Sequence, residues 1–418
     1  VADRRVRTLV VAEAYPWPVV DGYKQRLSQI VGGLAEAGPV DLVTLERPGS
    51  PPPAGSPWPG VERVLSVPAP PERVASDWFA EWCRGPVPRR VLNTDWSGLR
   101  SQLPGWVEGA YDLVWCSHVH TWWPLHDLFP SVPVVVDFDN LEHLALRLRR
   151  GQGPEFTPGS DPLARVRAVG RWAAGRLADA VDERRWERLQ HRVAGEVDRV
   201  VVCSELDAER AGVPNVAVVP NGAEPVDDPR VDRTVLAGEH PTLGFVGALD
   251  YLPNTEAVGW FAREVFPIVR NHHPGVRFRV VGRGADRVEW ITSCPGVELV
   301  GPVPDVRPEL DRTDVAVVPI RVGAGTRLKV VEALANHLPI VTTTVGAEGI
   351  EVTDGRTALV ADDAHRFADA CLRLIEDPEL RQRLADAGAE LFGSAYSWPD
   401  IRRRVAALAA EVAGISRG

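Results

Sequence analysis

The chain has 418 residues, 44% hydrophobic and 25% charged, a globular profile too long for one ordinary core and so expected to form two domains. A net charge of −10 argues against non-specific affinity for nucleic acid or anionic membrane, local basic patches aside. Cys83, Cys116, Cys203, Cys294 and Cys371 are odd in number and never in C-x-x-C spacing, which excludes a disulfide or zinc framework and points to reduced thiols in a cytoplasmic protein. No apolar run approaches a transmembrane length.

Short β-branched runs alternate with helical periodicity along most of the chain, the pattern of a parallel α/β fold. Strands are expected at Val6 to Ala14, Val40 to Leu45, Val61 to Val67, Leu113 to Cys116, Val132 to Asp137, Val200 to Cys203 and Val216 to Val219. Pro48 to Pro59, with three successive prolines, is read as a loop. Asp161 to Val197 is helical and dense in Arg, with Asp179, Asp182, Glu183 and Glu187 among the bases, and is read as a solvated face with internal ion pairs. Pro225, Asp227, Asp228 and Pro229 make Ala223 to Glu239 a polar linker. The pattern restarts at Thr242 to Val246, Arg277 to Val281, Val297 to Val300, Val315 to Pro319, Ile340 to Thr343 and Ala358 to Val360, and an amphipathic helix from Ile401 to Val412 closes the chain.

The chain has only two lysines, Lys24 after the turn-like Asp21-Gly22-Tyr23 and Lys329 after a glycine-rich loop. In Gly323-Ala324-Gly325-Thr326-Arg327-Leu328-Lys329-Val330-Val331-Glu332 the glycines let backbone N–H groups approach a ligand. Thr326 is placed as a helix N-cap, and a helix N-terminus attracts an anion. Lys329 adds a compact positive charge, while Glu332, three residues on, offers two acceptor oxygens suited to vicinal hydroxyls. Phosphate and sugar recognition at one site accounts for the whole string.

That string, continued by Leu338-Pro339-Ile340-Val341-Thr342-Thr343-Thr344-Val345-Gly346-Ala347-Glu348-Gly349-Ile350, resembles the donor-site signature of retaining GT-B glycosyltransferases of family 4 (glycosyl transferases group 1). Val201 to Ser204, Val219 to Gly222, Gly244 to Gly247 with Asn254, and Val280 to Gly284 are similar to further family segments. The resemblance implies two facing Rossmann-like parallel-sheet domains around an interdomain cleft with a C-terminal crossover helix. Residues 1–225 would form the acceptor-side domain, 240–395 the donor domain, and helix 398–415 would dock on the first.

Residue by residue, the resemblance makes Lys329 the ligand of the donor diphosphate with Arg327 beside it, and Glu332 the ligand of the nucleotide ribose. Ala324 stands where the family's first motif Glu would be, leaving Gly323, Ala324, Gly325 and Thr326 to act through the backbone. Ala248 to Tyr251 replaces the family's usual cations near Gly247, which puts more of the diphosphate charge on Lys329 and Arg327. Asp21-Gly22 corresponds to a loop against the donor phosphate, within reach of Lys24. His118 or His120, after the strand ending at Cys116, matches a histidine that contacts the donor sugar. Alternation in an extended segment would put both on one side, and the sequence does not choose between them.

Asp137 and Asp139 form an Asp-x-Asp after a strand, a metal-binding pattern in another glycosyltransferase fold. With two tandem domains the reading is nevertheless of no metal and no cofactor, the nucleotide-diphosphate sugar being the donor substrate. Gly282-Arg283-Gly284 lacks the third glycine of a dinucleotide fingerprint. The expected protein is a cytoplasmic or peripherally membrane-associated hexosyl- or glycosyltransferase. Its acceptor would be a sugar, a natural product or a lipid-linked molecule. A sugar-nucleotide 2-epimerase and a non-catalytic partner of another transferase are the alternatives.

Overall fold

The computed structural model describes residues 5–19, 21–46, 55–69, 71–107, 111–151, 153, 161–323, 325 and 327–414. The chain divides into two units, Val1–Val219 with Ile401–Gly418, and Pro220–Asp400. Most of the proline loop, together with Ala324 and Thr326, lies outside the described residues.

Unit 1 is built on β1 (Thr8–Ala12), β2 (Val40–Glu46), β3 (Val61–Pro68), β4 (Leu113–Ser117), β5 (Val134–Asp137), β6 (Arg199–Val202) and β7 (Val216–Val218). They form one parallel sheet in the order β3-β2-β1-β4-β5-β6-β7. The central strands β1, β4 and β5 are buried along their whole length, which is why they read as unbroken apolar runs; β3, at one edge, is exposed at alternate residues over its first half. The order reverses between β1 and β4, so the crevice beyond their carboxyl ends is where a doubly wound sheet takes its ligand. Helices α1 (Gly22–Ala37), capped by the Asp21 carboxylate accepting from Lys24 N–H, and α2 (Val119–Trp122) follow β1 and β4 at that crevice, and the long α3 (Pro162–Glu196) precedes β6.

Unit 2 carries β8 (Thr242–Val246), β9 (Arg277–Val281), β10 (Val297–Gly301), β11 (Val315–Val318), β12 (Ile340–Thr342) and β13 (Leu359–Val360), parallel in the order β10-β9-β8-β11-β12-β13. Its switch point falls between β8 and β11. The crevice is lined by α4 (Leu252–Trp260) and α5 (Leu328–Ala335), with α6 (Ala364–Glu376) and α7 (Pro378–Leu391) beyond.

Ala223 to Glu239 is not a free linker, as its polarity suggested, but part of unit 2. Arg233 is fully buried and donates to the carbonyls of Thr313, Asn336 and His337, while Arg381 donates back to the carbonyls of Arg233 and Thr234. A polar segment is held by its backbone acceptors, which composition does not reveal. The first unit accordingly ends at Val219 rather than at residue 225. The final helix, α8 (Trp398–Val412), buries Ile401, Val405 and Ala409, and its Arg402 bonds to Gln29 and Glu36 of α1. Gly33 of α1 permits this approach, since a Cβ there would meet the carbonyl of Arg402 at 2.7 Å. No helix among the described residues is long and apolar enough to cross a membrane.

Candidate functional site

In unit 2 the switch point gathers the sequence-predicted donor residues. Lys329, second residue of α5, donates from Nζ to Asn254 Oδ1 of α4, and its ammonium lies 4.7 Å from the centroid of the Phe245 ring of β8. Asn254 is held in turn by donating to the carbonyl of Ala248 at 2.7 Å. Gly247, at the end of β8, leaves room for this group: a Cβ would meet Asn254 Nδ2 at 3.0 Å and Lys329 Nζ at 3.2 Å. Gly282 must also be glycine, for at φ +155° a Cβ would collide with the Gly247 carbonyl.

Burial pushes the Lys329 ammonium down to about 7, helped by the nearby charge of Arg327 and opposed by Glu332. Burial raises the Glu332 carboxyl, with Lys329 opposing. The two side chains are half-buried on one face of α5, three residues apart. Arg327 is 6% exposed and its Nε donates to the Val345 carbonyl at 3.2 Å, so it braces the loop after β12. Helix α5 begins at Leu328 with Arg327 in the cap position and no side-chain capping bond, one residue later than a Thr326 cap requires. The Arg327 backbone, at ψ 79°, has already left the helix. Gly323 and Gly325 both take positive φ, +123° and +84°.

Unit 1 places a second cluster at its own switch point. Glu13 follows β1 and His118 follows β4. His118 and His120 are stacked, with centroids 5.1 Å apart and planes at 22°. They share a side for a different reason from strand alternation. His118 sits at φ +75° and opens the short helix α2, which turns His120 back onto it. His120 Nε2 and Glu13 Oε2 are 2.6 Å apart, and His118 Nε2 lies 3.6 Å from Asp139 Oδ2. Burial would raise Glu13, but the bond and charge of His120 and the charge of His118 lower it to about 2. Burial opposes charging of His118, yet Asp139 and Glu13 raise it; burial lowers His120. Gly22 opens α1, exposed, and Lys24 is half-buried beside it.

Both Asp137 oxygens are taken by an arginine. Arg26 of α1 forks onto both its oxygens at 2.9 Å, approaches Asp139 at 3.6 Å, and donates to the Val219 carbonyl at 2.8 Å. The described residues whose donor atoms could converge on a metal are instead Glu13, His118 and His120, within 4.8 Å of one another. Glu13, Arg26 and Tyr23, whose hydroxyl lies 3.1 Å from Ser117 Oγ, were not singled out from sequence. A lone carboxylate near the end of the expected first strand, Val6 to Ala14, was the signal available for Glu13.

Residues 240–377 match the family model described as Glycosyl transferases group 1, a span that holds Gly247, Asn254, Lys329 and Glu332. The chain is 24% identical to a glycogen synthase of Mycobacterium tuberculosis over 95% of its own length and 92% of that protein's. The sucrose-phosphate synthase of Thermosynechococcus elongatus superposes with a TM-score of 0.65 at 18% identity, covering 99% of this chain and 100% of that one. The trehalose-6-phosphate structure from E. coli bound with UDP-2-fluoro glucose gives 0.58 at 14%, covering 98% and 99%. The two parallel-sheet units share the GT-B architecture of these structures.

Proposed function

We propose that this glycosyltransferase, with the group 1 signature across its second unit, moves a sugar from a nucleoside diphosphate to an acceptor hydroxyl with retention of anomeric configuration. The observation that carries the reading is Lys329, a half-buried ammonium at the switch point of unit 2, one helical turn before the half-buried carboxylate of Glu332. An ammonium held by Asn254 in a partly desolvated site is preorganised for the diphosphate, whose negative charge grows as the glycosidic bond breaks. Arg327 supports the loop around it and adds positive potential. Glu332 takes the ribose hydroxyls as an acceptor.

Retention without an enzyme nucleophile asks the departing phosphate oxygen to take the acceptor proton, and Lys329 holds that oxygen in place for it. One of His118 and His120, both buried at the strand-end cluster they form with half-buried Glu13, contacts the donor sugar in this scheme. No metal or cofactor takes part in this scheme. The test is product analysis with a panel of UDP-, ADP- and GDP-sugars, reading the anomeric proton coupling of the glycoside or released sugar by NMR. The donor's own configuration is expected in the first product. An inverted product overturns retention, and an epimerised sugar nucleotide without transfer assigns an isomerase.

A further inference from the structure

Helix α3 changes its apolar face part way along. From Asp179 onward the buried residues, among them Asp182, Trp186, Leu189 and Val193, fall on one side of the helix and meet the rest of unit 1. Between Leu163 and Val181 five large aliphatic residues fall on nearly the opposite side, and they are exposed: Leu163 59%, Val166 67%, Val169 41%, Leu177 73% and Val181 39%; Trp172, half-buried against Arg176, stays on the first side. With Gly170, Ala173 and Ala174 they form an arc of about 140° at 3.6 residues per turn, and no charged residue enters it.

Arginines border the arc on both sides, Arg165 and Arg176 along one edge, Arg167 and Arg171 along the other. No Asp or Glu occurs between Asp161 and Asp179, in a chain whose net charge is −10. Of the internal ion pairs expected along the helix, Arg192 pairs with Glu196 in its second half, whereas Glu183 and Asp179 pair outward, with Arg147, Arg150 and Arg149 of the segment 142–150.

We propose that this stripe docks on an anionic phospholipid surface, the helix lying in the headgroup plane with the arc toward the acyl chains. An exposed apolar arc between two rows of arginine is the pattern of an interfacial helix, and guanidinium forks suit lipid phosphates. A second copy of the chain is disfavoured by charge, because pairing two such stripes brings arginines together with no acid between them.

The test is co-sedimentation of the full chain with phosphatidylcholine vesicles containing about one-third phosphatidylglycerol. Binding is expected to these vesicles and not to phosphatidylcholine alone, with release at roughly 0.5 M salt. The double variant Val166→Glu/Leu177→Glu is expected to weaken it at least tenfold, and Arg167→Ser/Arg171→Ser on the order of tenfold. Both should unfold at the wild-type temperature, since the altered side chains are exposed, and both should bind nucleoside diphosphate unchanged.

Absence of wild-type binding to the anionic vesicles overturns the proposal, as does wild-type binding by both variants. A solution dimer dissociated by Leu177→Glu without vesicle binding would assign the stripe to a second copy. Equally tight binding to soluble polyglutamate, lost in the same variant, would assign it to an acidic protein. Vesicle binding is read without any transfer assay, so the outcome is independent of the proposed activity.

Discussion

Lys329 illustrates how one residue's surroundings set its chemistry. Its folded value, about 7, lies below the ordinary 10.5, so the free site carries an ammonium below that pH and a neutral amine above it. In the proposed scheme donor capture needs the ammonium. The kcat/KM for the donor is therefore expected to fall as pH rises through about 7, approaching tenfold per pH unit, and Lys329→Arg should abolish this inflection because a guanidinium stays charged. A flat wild-type profile from pH 6 to 9 would contradict the assignment. In unit 1, Asp137 is occupied by Arg26, whereas Glu13, His118 and His120 converge. Transfer is expected to survive EDTA; loss restored by manganese would identify Glu13, His118 and His120 as metal ligands, and His120→Ala would then remove the metal effect.

Among elements, the buried pair Arg26–Asp137 ties α1 to β5 and, through the Val219 carbonyl, to the end of β7. Both side chains are 3% exposed, so removing one charge strands the other. Asp137→Asn is expected to cost about 3 kcal/mol, the lower end for such a break because Asp139 also lies near Arg26, and urea unfolding reads it as a lower midpoint. An unchanged midpoint would show that Asp139 replaces the pair. Each expected strand has its counterpart in the two sheets, because short Val- and Ile-rich runs buried on both faces leave little ambiguity. Pairings across the fold were less legible. Glu13 and His120 are 107 residues apart, and Arg26 and Asp137 are 111 apart. Only the parallel register of β1 with β4 and β4 with β5 brings them together. The reversal of apolar face within α3 was hidden for a related reason: its acids were read over the whole helix, although all five lie at or beyond Asp179.

For the whole molecule, each unit has its own hydrophobic core and its own switch point, and sequence likeness concentrates in the second. Lys329 and Glu332 could be singled out because a glycine loop, a helix start and three charged side chains fall within ten residues. The unit 1 cluster is assembled from the ends of β1 and β4 and was seen only as a pair of histidines. Two cores predict two calorimetric unfolding transitions, of which one, that of unit 2, rises with nucleoside diphosphate. At a ligand concentration a hundred times Kd the gain is about 2.7 kcal/mol. A ligand-induced rise confined to the other transition would place the donor site in unit 1.

The most direct measurement is calorimetric titration of UDP and ADP into the wild-type chain, Lys329→Ala and Glu332→Gln, paired with single-turnover transfer. Glu332→Gln should weaken nucleotide binding with little change in the chemical step, because the ribose contact is present in both ground and transition states. Lys329→Ala should slow the chemical step by on the order of a hundredfold, more than it weakens binding. Wild-type affinity and wild-type transfer in both variants would show that the donor diphosphate is not held at the switch point of unit 2.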